Sequence, residues 1–200
     1  MLTKLDVARH QLGTAMELFL RDKDPVSVQC LACGGAELIE SIATHQDLRP
    51  FSTHMLENNP GLDIKELRTL QRRFWNAFKH MSDRGGELRD DDAILATFDD
   101  TMNDGALFVA WWDYQSVTQK LPLAVQVFQV WFYALNEEKL APGTSTDDIR
   151  RTFPHIRSAP REEQKRRLRR VIERYRSDKE ILADSRTENL QLCFSLSRSH

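Results

Sequence analysis

Residues 4–45 read KLDVARHQLGTAMELFLRDKDPVSVQCLACGGAELIESIATH, and this stretch decides the fold. Leu5, Ala8, Leu12, Ala15, Met16 and Phe19 recur at helical spacing, which predicts an amphipathic helix from about Lys4 to Arg21. Asp24 then offers an N-cap carboxylate, and Pro25 has the fixed φ suited to a first helical position. The helix that follows, over about 25–45, is apolar on most sides, with Val28, Leu31, Leu38 and Ile42 as its main stripe. A helix that apolar belongs in the middle of a fold. Gly34 and Gly35 sit in its interior at a cost of about 1 kcal/mol each against alanine. That cost implies close approach by a neighbouring helix backbone.

Working outward, Asn58-Asn59-Pro60-Gly61 is a break, and Asp63 is placed to cap a third helix running to His80. Within 62–83, LDIKELRTLQRRFWNAFKHMSD, residues Leu67, Leu70, Phe74, Phe78 and Met81 fall on one helical face. Arg73, Asn76 and His80 fall on the opposite face, Arg73 and His80 about 10.5 Å apart along the axis. Arg72 and Lys79 lie beside them. A fixed cation, an amide and a group titrating near neutral pH thus share a face that the core does not claim. The plainer reading is a solvated face, with His80 near a helix C-terminus where an imidazolium is favoured.

Ser82 to Gly86 read as a loop, and Asp90, Asp91 and Asp92 put negative charge at the next helix start. That helix continues through Ile94, Leu95, Phe98 and Met102, bends at Asn103-Asp104-Gly105, and resumes through Phe108, Trp111, Trp112 and Tyr114. Leu121-Pro122 opens a fifth helix, rich in Val125, Phe128, Trp131, Phe132 and Leu135. At helical spacing these aromatic residues read as core or dimer interface rather than a base-stacking platform. No strand alternation is visible before residue 140. Residues 139–159 read as a linker with a short helical turn. Pro160 begins a basic helix to about Ile181, with Leu168, Ile172 and Tyr175 as its apolar stripe, and a serine-rich tail follows over 184–200.

Composition bounds the function. The chain has 200 residues, 40% hydrophobic and 29% charged, with a net charge of −2, as in an ordinary globular protein. No membrane partner is expected, no signal-peptide hydrophobic region is visible at the start, and a cytoplasmic location is the default expectation. Three cysteines give no disulfide framework. Cys30-x-x-Cys33 has zinc spacing, but it falls inside an apolar helix with no second pair, so it reads as buried small residues. Glu37-x-x-Glu40 resembles the helical carboxylates of the all-α nucleotide pyrophosphatases. The second acidic motif of that family is missing, so Glu37 is expected to pair with an arginine or hydrogen-bond in the core. No metal and no cofactor are implied.

Charge is uneven: residues 1–138 carry 13 Lys/Arg against 21 Asp/Glu, and 139–180 carry 13 against 7. A basic segment behind an acidic body suggests internal docking or polyanion contact. Within Lys165–Arg170, however, Glu162, Glu163 and Glu173 stand at ion-pairing distances in sequence.

The helix pair over 4–45, with Ala36-Glu37 in the middle of its second helix, followed by Arg73-x6-His80, resembles the HEPN superfamily (higher eukaryotes and prokaryotes nucleotide-binding). The resemblance covers residues 4–138. It implies an all-α, antiparallel helical bundle over 1–138, with the linker, basic helix and tail of 139–200 as an extension. It also implies an RNA- or nucleotide-interacting protein, whose catalytic form is a metal-independent endoribonuclease. Arg73 and His80 would be the catalytic pair, facing their counterparts across a homodimer interface, with Arg72, Asn76 and Lys79 helping to bind. An antitoxin-like protein partner belongs to the same expectation. One departure is Phe74, where the family has a polar residue after the arginine; Asn76 is the nearest substitute. The rival reading is a non-catalytic interaction or assembly module.

Overall fold

Local side-chain caps supply several of the helix starts. The computed structural model describes residues 1–83, 85–141 and 143–194. Thr3 and Asp6 form a capping box on α1, Lys4–Leu20. The Asp24 side chain accepts from the Val26 and Ser27 N–H groups to start α2, Pro25–His45. Asp63 and Glu66 form a second capping box on α4, Ile64–Gln71. The remaining helices are α3 (Phe51–Asn58), α5 (Arg73–Lys79), α6 (Asp92–Leu95), α7 (Met102–Thr118), α8 (Leu123–Leu135), α9 (Asp147–Thr152), α10 (Arg161–Tyr175) and α11 (Lys179–Ala183). The all-α expectation therefore holds among the described residues. Strand pairing among the described residues is minimal: β1 (Leu121–Pro122) runs parallel to β2 (Thr187–Glu188).

Two expected helices are divided. The one over 63–80 breaks at Arg72, whose backbone leaves the helical region at φ −104°, ψ 7°. The one starting near Asp92 ends after one turn, and α7 begins only at Met102, so Asn103-Asp104-Gly105 is a first turn rather than a bend. The basic helix also stops at Tyr175, and Asp178 caps α11 afresh. The expected loop after Ser82 is closed by a bridge between Ser82 and Leu88. Its Arg84, the linker's Pro142 and the tail's residues 195–200 lie outside the described residues.

The chain groups into two compact units, residues 1–119 with the chain end, and residues 120–192. α8 thus groups with the C-terminal segment, not with the 1–138 bundle expected. In the first unit, α1 turns through four residues into α2, and Ala8, Leu12, Ala15, Met16 and Phe19 are fully buried against it. α7 packs on α2 and also meets α1. The Asn103 amide donates to the Pro25 carbonyl at 3.1 Å, so the two helices start side by side and run in the same direction. That departs from a wholly antiparallel bundle. In the second unit Trp131 and Phe128 of α8 are buried with Leu168 of α10 and Ile156. The Trp131 indole N–H donates to the Gln164 carbonyl at 3.1 Å.

The glycine pair resolves into two different roles. A Cβ on Gly35 would stand 2.6 Å from Leu12 Cδ2 and 3.3 Å from the Ala8 carbonyl oxygen. Leu12 has no exposed surface to retreat into. A Cβ on Gly34 would make ordinary contact with Gln11. Gly35→Ala is therefore expected to destabilise by about 1–3 kcal/mol through overpacking. Gly34→Ala should be neutral or stabilising by up to about 1 kcal/mol. Urea unfolding of the two variants checks the contrast, and equal midpoints would contradict it.

α2 is long and apolar enough to span a bilayer by length and composition, more so than the sequence reading allowed. Here it packs against α1 and α7 and carries Glu37 and Glu40 in ion pairs.

Candidate functional site

The break at Arg72 organises this region. Arg72 reaches back to α2, with Nη1 2.9 Å from Glu37 Oε1 and Nη2 3.0 Å from Glu40 Oε2. Arg68 Nη2 lies 3.1 Å from Glu40 Oε1, which also accepts from the Ser52 hydroxyl at 3.0 Å. Arg72, expected to help bind phosphate, is instead a clasp between α2 and the α4–α5 junction. Two acidic partners already neutralise it, so it has little left to offer an anion. The same contacts commit Glu37 and Glu40 to guanidinium groups.

Below the break, Phe74 is buried, with the Phe98 ring 5.1 Å away edge-on, and Phe78 meets Phe98 at 4.9 Å. Those residues and Leu67 keep the expected apolar face. Leu70 and Met81 do not: they are 55% and 80% exposed. α5 ends at Lys79, which leaves Met81 beyond the helix, while Leu70 lies in the last turn of α4, just before the break.

The remaining candidates belong to α5 and its cap. Arg73 is exposed, its guanidinium carbon 4.4 Å from the Phe74 ring centroid. Lys79 is exposed, its ammonium 3.4 Å from the Trp75 centroid. Asn76 is half-buried, and its carbonyl accepts the His80 N–H at 3.1 Å. His80 is the C-cap, in extended backbone at φ −120°, ψ 115°, and is exposed. Arg73 and His80 thus mark the two ends of a two-turn helix. The cavity that Arg73 lines does not include His80.

What does stand beside Arg73 is a cavity of about 330 Å³ among α2, α3, α5 and α7. Arg72 and Arg73 line it; Asn76, Lys79 and His80 do not. Its floor includes Asp113 of α7, only 2% exposed. The first N–H of α3, from Phe51, donates to Asp113 Oδ1 at 2.6 Å. Pro50 offers no side-chain cap there, so Asp113 supplies one through space. Phe51 is held in place by Trp112 and Phe108, ring centroids 5.5 and 5.7 Å away. Burial first, and then the neighbouring Glu40, push the Asp113 carboxyl up to about 7, while the Phe51 hydrogen bond pulls the other way.

Sequence reasoning passed over Asp113. The visible signal was a lone carboxylate in the apolar run Val109 to Tyr114, where a buried charge calls for a partner. Cys33, also on the cavity wall, is buried and its thiol is pushed up to about 12 by desolvation. Cys30 and Cys33 are free thiols, and the Gln29 amide donates to Cys33 Sγ at 3.3 Å. In the second unit the basic run is partly spent: Arg166 and Arg167 pair with Glu163, and Lys165 is buried. Compared with protein-family models, with curated proteins and with solved structures, the chain finds no match in any of the three.

Proposed function

We propose that this chain is an RNA- or nucleotide-interacting, HEPN-like cytoplasmic protein that makes contact through the α5 face. In this reading Arg73 and His80 form a metal-independent endoribonuclease site when two copies bring their α5 faces together. The observation that carries the reading is electrostatic. Arg73 and Lys79 each lie on an aromatic face, and neither they nor His80 has a carboxylate partner among the described residues. Arg68, Arg72 and Arg89 nearby are all ion-paired. Unpaired cations beside an aromatic ring suit phosphate and base contact. The cleavage step would be attack of an RNA 2′-hydroxyl, giving up its proton, on the adjacent phosphorus, which closes a 2′,3′-cyclic phosphate as the P–O5′ bond breaks and the 5′-oxygen leaves with a proton as a hydroxyl. His80 would move protons and Arg73 would stabilise charge on the phosphoryl oxygens. Because the two groups stand at opposite ends of α5, a second copy supplies the missing wall.

Purified protein incubated with mixed RNA in excess EDTA tests this. Cleavage is expected, falling by about 100-fold or more in Arg73→Ala and in His80→Ala. Mixing the two inactive variants should restore part of the activity if each site draws on both copies. Absence of both cleavage and RNA retention, with folding unchanged, would end the reading.

A second reading is favoured by the exposed Leu70, Met81 and Leu88 around the same helix, which suit a non-catalytic assembly surface, for a second copy or an antitoxin-like protein. Sedimentation velocity separates the two. Self-association lost in Met81→Glu, without RNA binding in the parent, would favour assembly alone.

A further inference from the structure

We propose that the cavity among α2, α3, α5 and α7 is a binding site for a small organic ammonium ion with an aliphatic body. Its ammonium would meet Asp113, and its methylenes would lie along Met55, Met102 and Val109. Arg73 borders both this cavity and the α5 face, but the ammonium site does not rest on the nuclease reading.

The first observation is a glycine that packing does not require. Gly105 sits in the first turn of α7 on the cavity wall, and a Cβ there would meet nothing within 4 Å. A helical glycine costs about 1 kcal/mol against alanine. At Gly35 that cost is offset by close approach to α1; at Gly105 no neighbour demands it. What the missing side chain gives is room.

The second observation is acceptor capacity on the cavity wall that no protein donor fills. Asp113 receives one hydrogen bond among the described residues, from Phe51 to Oδ1, which leaves Oδ2 unengaged. Gln29, 2% exposed and also on the cavity wall, has its amide oxygen buried with no hydrogen-bond partner. A buried acceptor such as the Gln29 oxygen is rare unless something donates to it. The nearby cations are engaged elsewhere: Arg72 pairs with Glu37 and Glu40, and Arg68 with Glu40. Arg73 is exposed, against Phe74. Neither arginine on the wall donates to Asp113 or to the Gln29 oxygen, and a positively charged donor suits a buried carboxylate best.

Shape narrows the class. The cavity is at the small end of ligand pockets, which run roughly 300–1,000 Å³, and its wall is mostly apolar. α2 and α7 start together, Gln29 lying four residues past Pro25 and Asp113 ten past Asn103. The two acceptors are therefore offset by about 9 Å along the helices. An extended linear diamine can donate to both while its methylenes lie on the apolar wall.

Isothermal titration of the full chain at pH 8.5, where Asp113 is ionised beside Glu40, uses n-pentylamine, 1,5-diaminopentane and 1-pentanol. The amines are expected to bind, the diamine tighter than the monoamine, and pentanol at least about tenfold weaker than pentylamine. Asp113→Asn keeps the shape and the Phe51 contact, and should lower amine affinity about tenfold while leaving pentanol unchanged. Gly105→Leu, which fills the space, should abolish amine binding with the helical circular dichroism retained. Equal affinity for pentanol and pentylamine would overturn the proposal. So would amine binding indifferent to Asp113→Asn, or no amine binding at millimolar concentration.

Discussion

Replacing Trp111 by alanine is expected to lower stability by about 3–5 kcal/mol, a large part of what a domain of this size possesses. Trp111 has no exposed surface. It lies in α7, the Tyr114 ring is edge-on at 5.1 Å, and the Arg9 guanidinium of α1 is 5.5 Å from its centroid. Truncation removes the largest buried side chain joining α1 to α7 and leaves a cavity that rigid helices cannot close. Its indole nitrogen is buried without a hydrogen-bond partner. Trp111→Phe removes that orphan donor together with less volume, so it should cost far less than the alanine variant. Urea unfolding monitored by circular dichroism checks both. A loss under about 1 kcal/mol in the alanine variant would show that α7 is not anchored through this ring.

Replacing Asp113 by asparagine should have the opposite sign at neutral pH. The folded carboxyl is raised to about 7 from an unfolded value near 3.8, so the folded state holds its proton more tightly. Below about pH 4 both states are protonated and the group is neutral to stability. Between about 4 and 7 the folded state binds more protons, so stability falls as pH rises, and above 7 the loss is complete. Asparagine still accepts from Phe51 and carries no charge. Asp113→Asn is therefore expected to flatten this pH dependence and to stabilise by up to about 4 kcal/mol at pH 8. Urea midpoints at pH 5 and pH 8 for both proteins measure it. Identical pH slopes would show that the carboxyl is not desolvated as the geometry requires. A gain in stability joined to a loss of amine affinity would be the trade expected of a binding residue kept at a cost to the fold.

Much of the helical content was legible because it rests on short-range rules. The Asp24-Pro25 and Asp63 starts depend on side chains reaching backbone N–H groups two or three residues away. The α1 stripe depends on periodicity alone. The candidate site was less legible because its geometry depends on partners far along the chain. Arg72 looked like a surface cation until Glu37 and Glu40, more than thirty positions earlier, proved to hold it. That clasp goes with a break in the helix at Arg72, and the short α5 that follows ends at Lys79 and leaves Met81 past its end. Pro50 cannot cap α3 from its side chain, and only the packing of α3 on α7 brought the Asp113 carboxylate to that duty.

By itself, then, the chain's order of residues determined that helices form, where most of them begin, and that α2 is central. Caps and apolar stripes are local and act wherever the chain goes. Only the tertiary structure decided which charges are spent and which remain available, which glycine is demanded by contact and which leaves open space, and that α2 and α7 run in the same direction. Those outcomes follow from long-range burial and ion pairing, whose energies depend on neighbours that no sequence window contains.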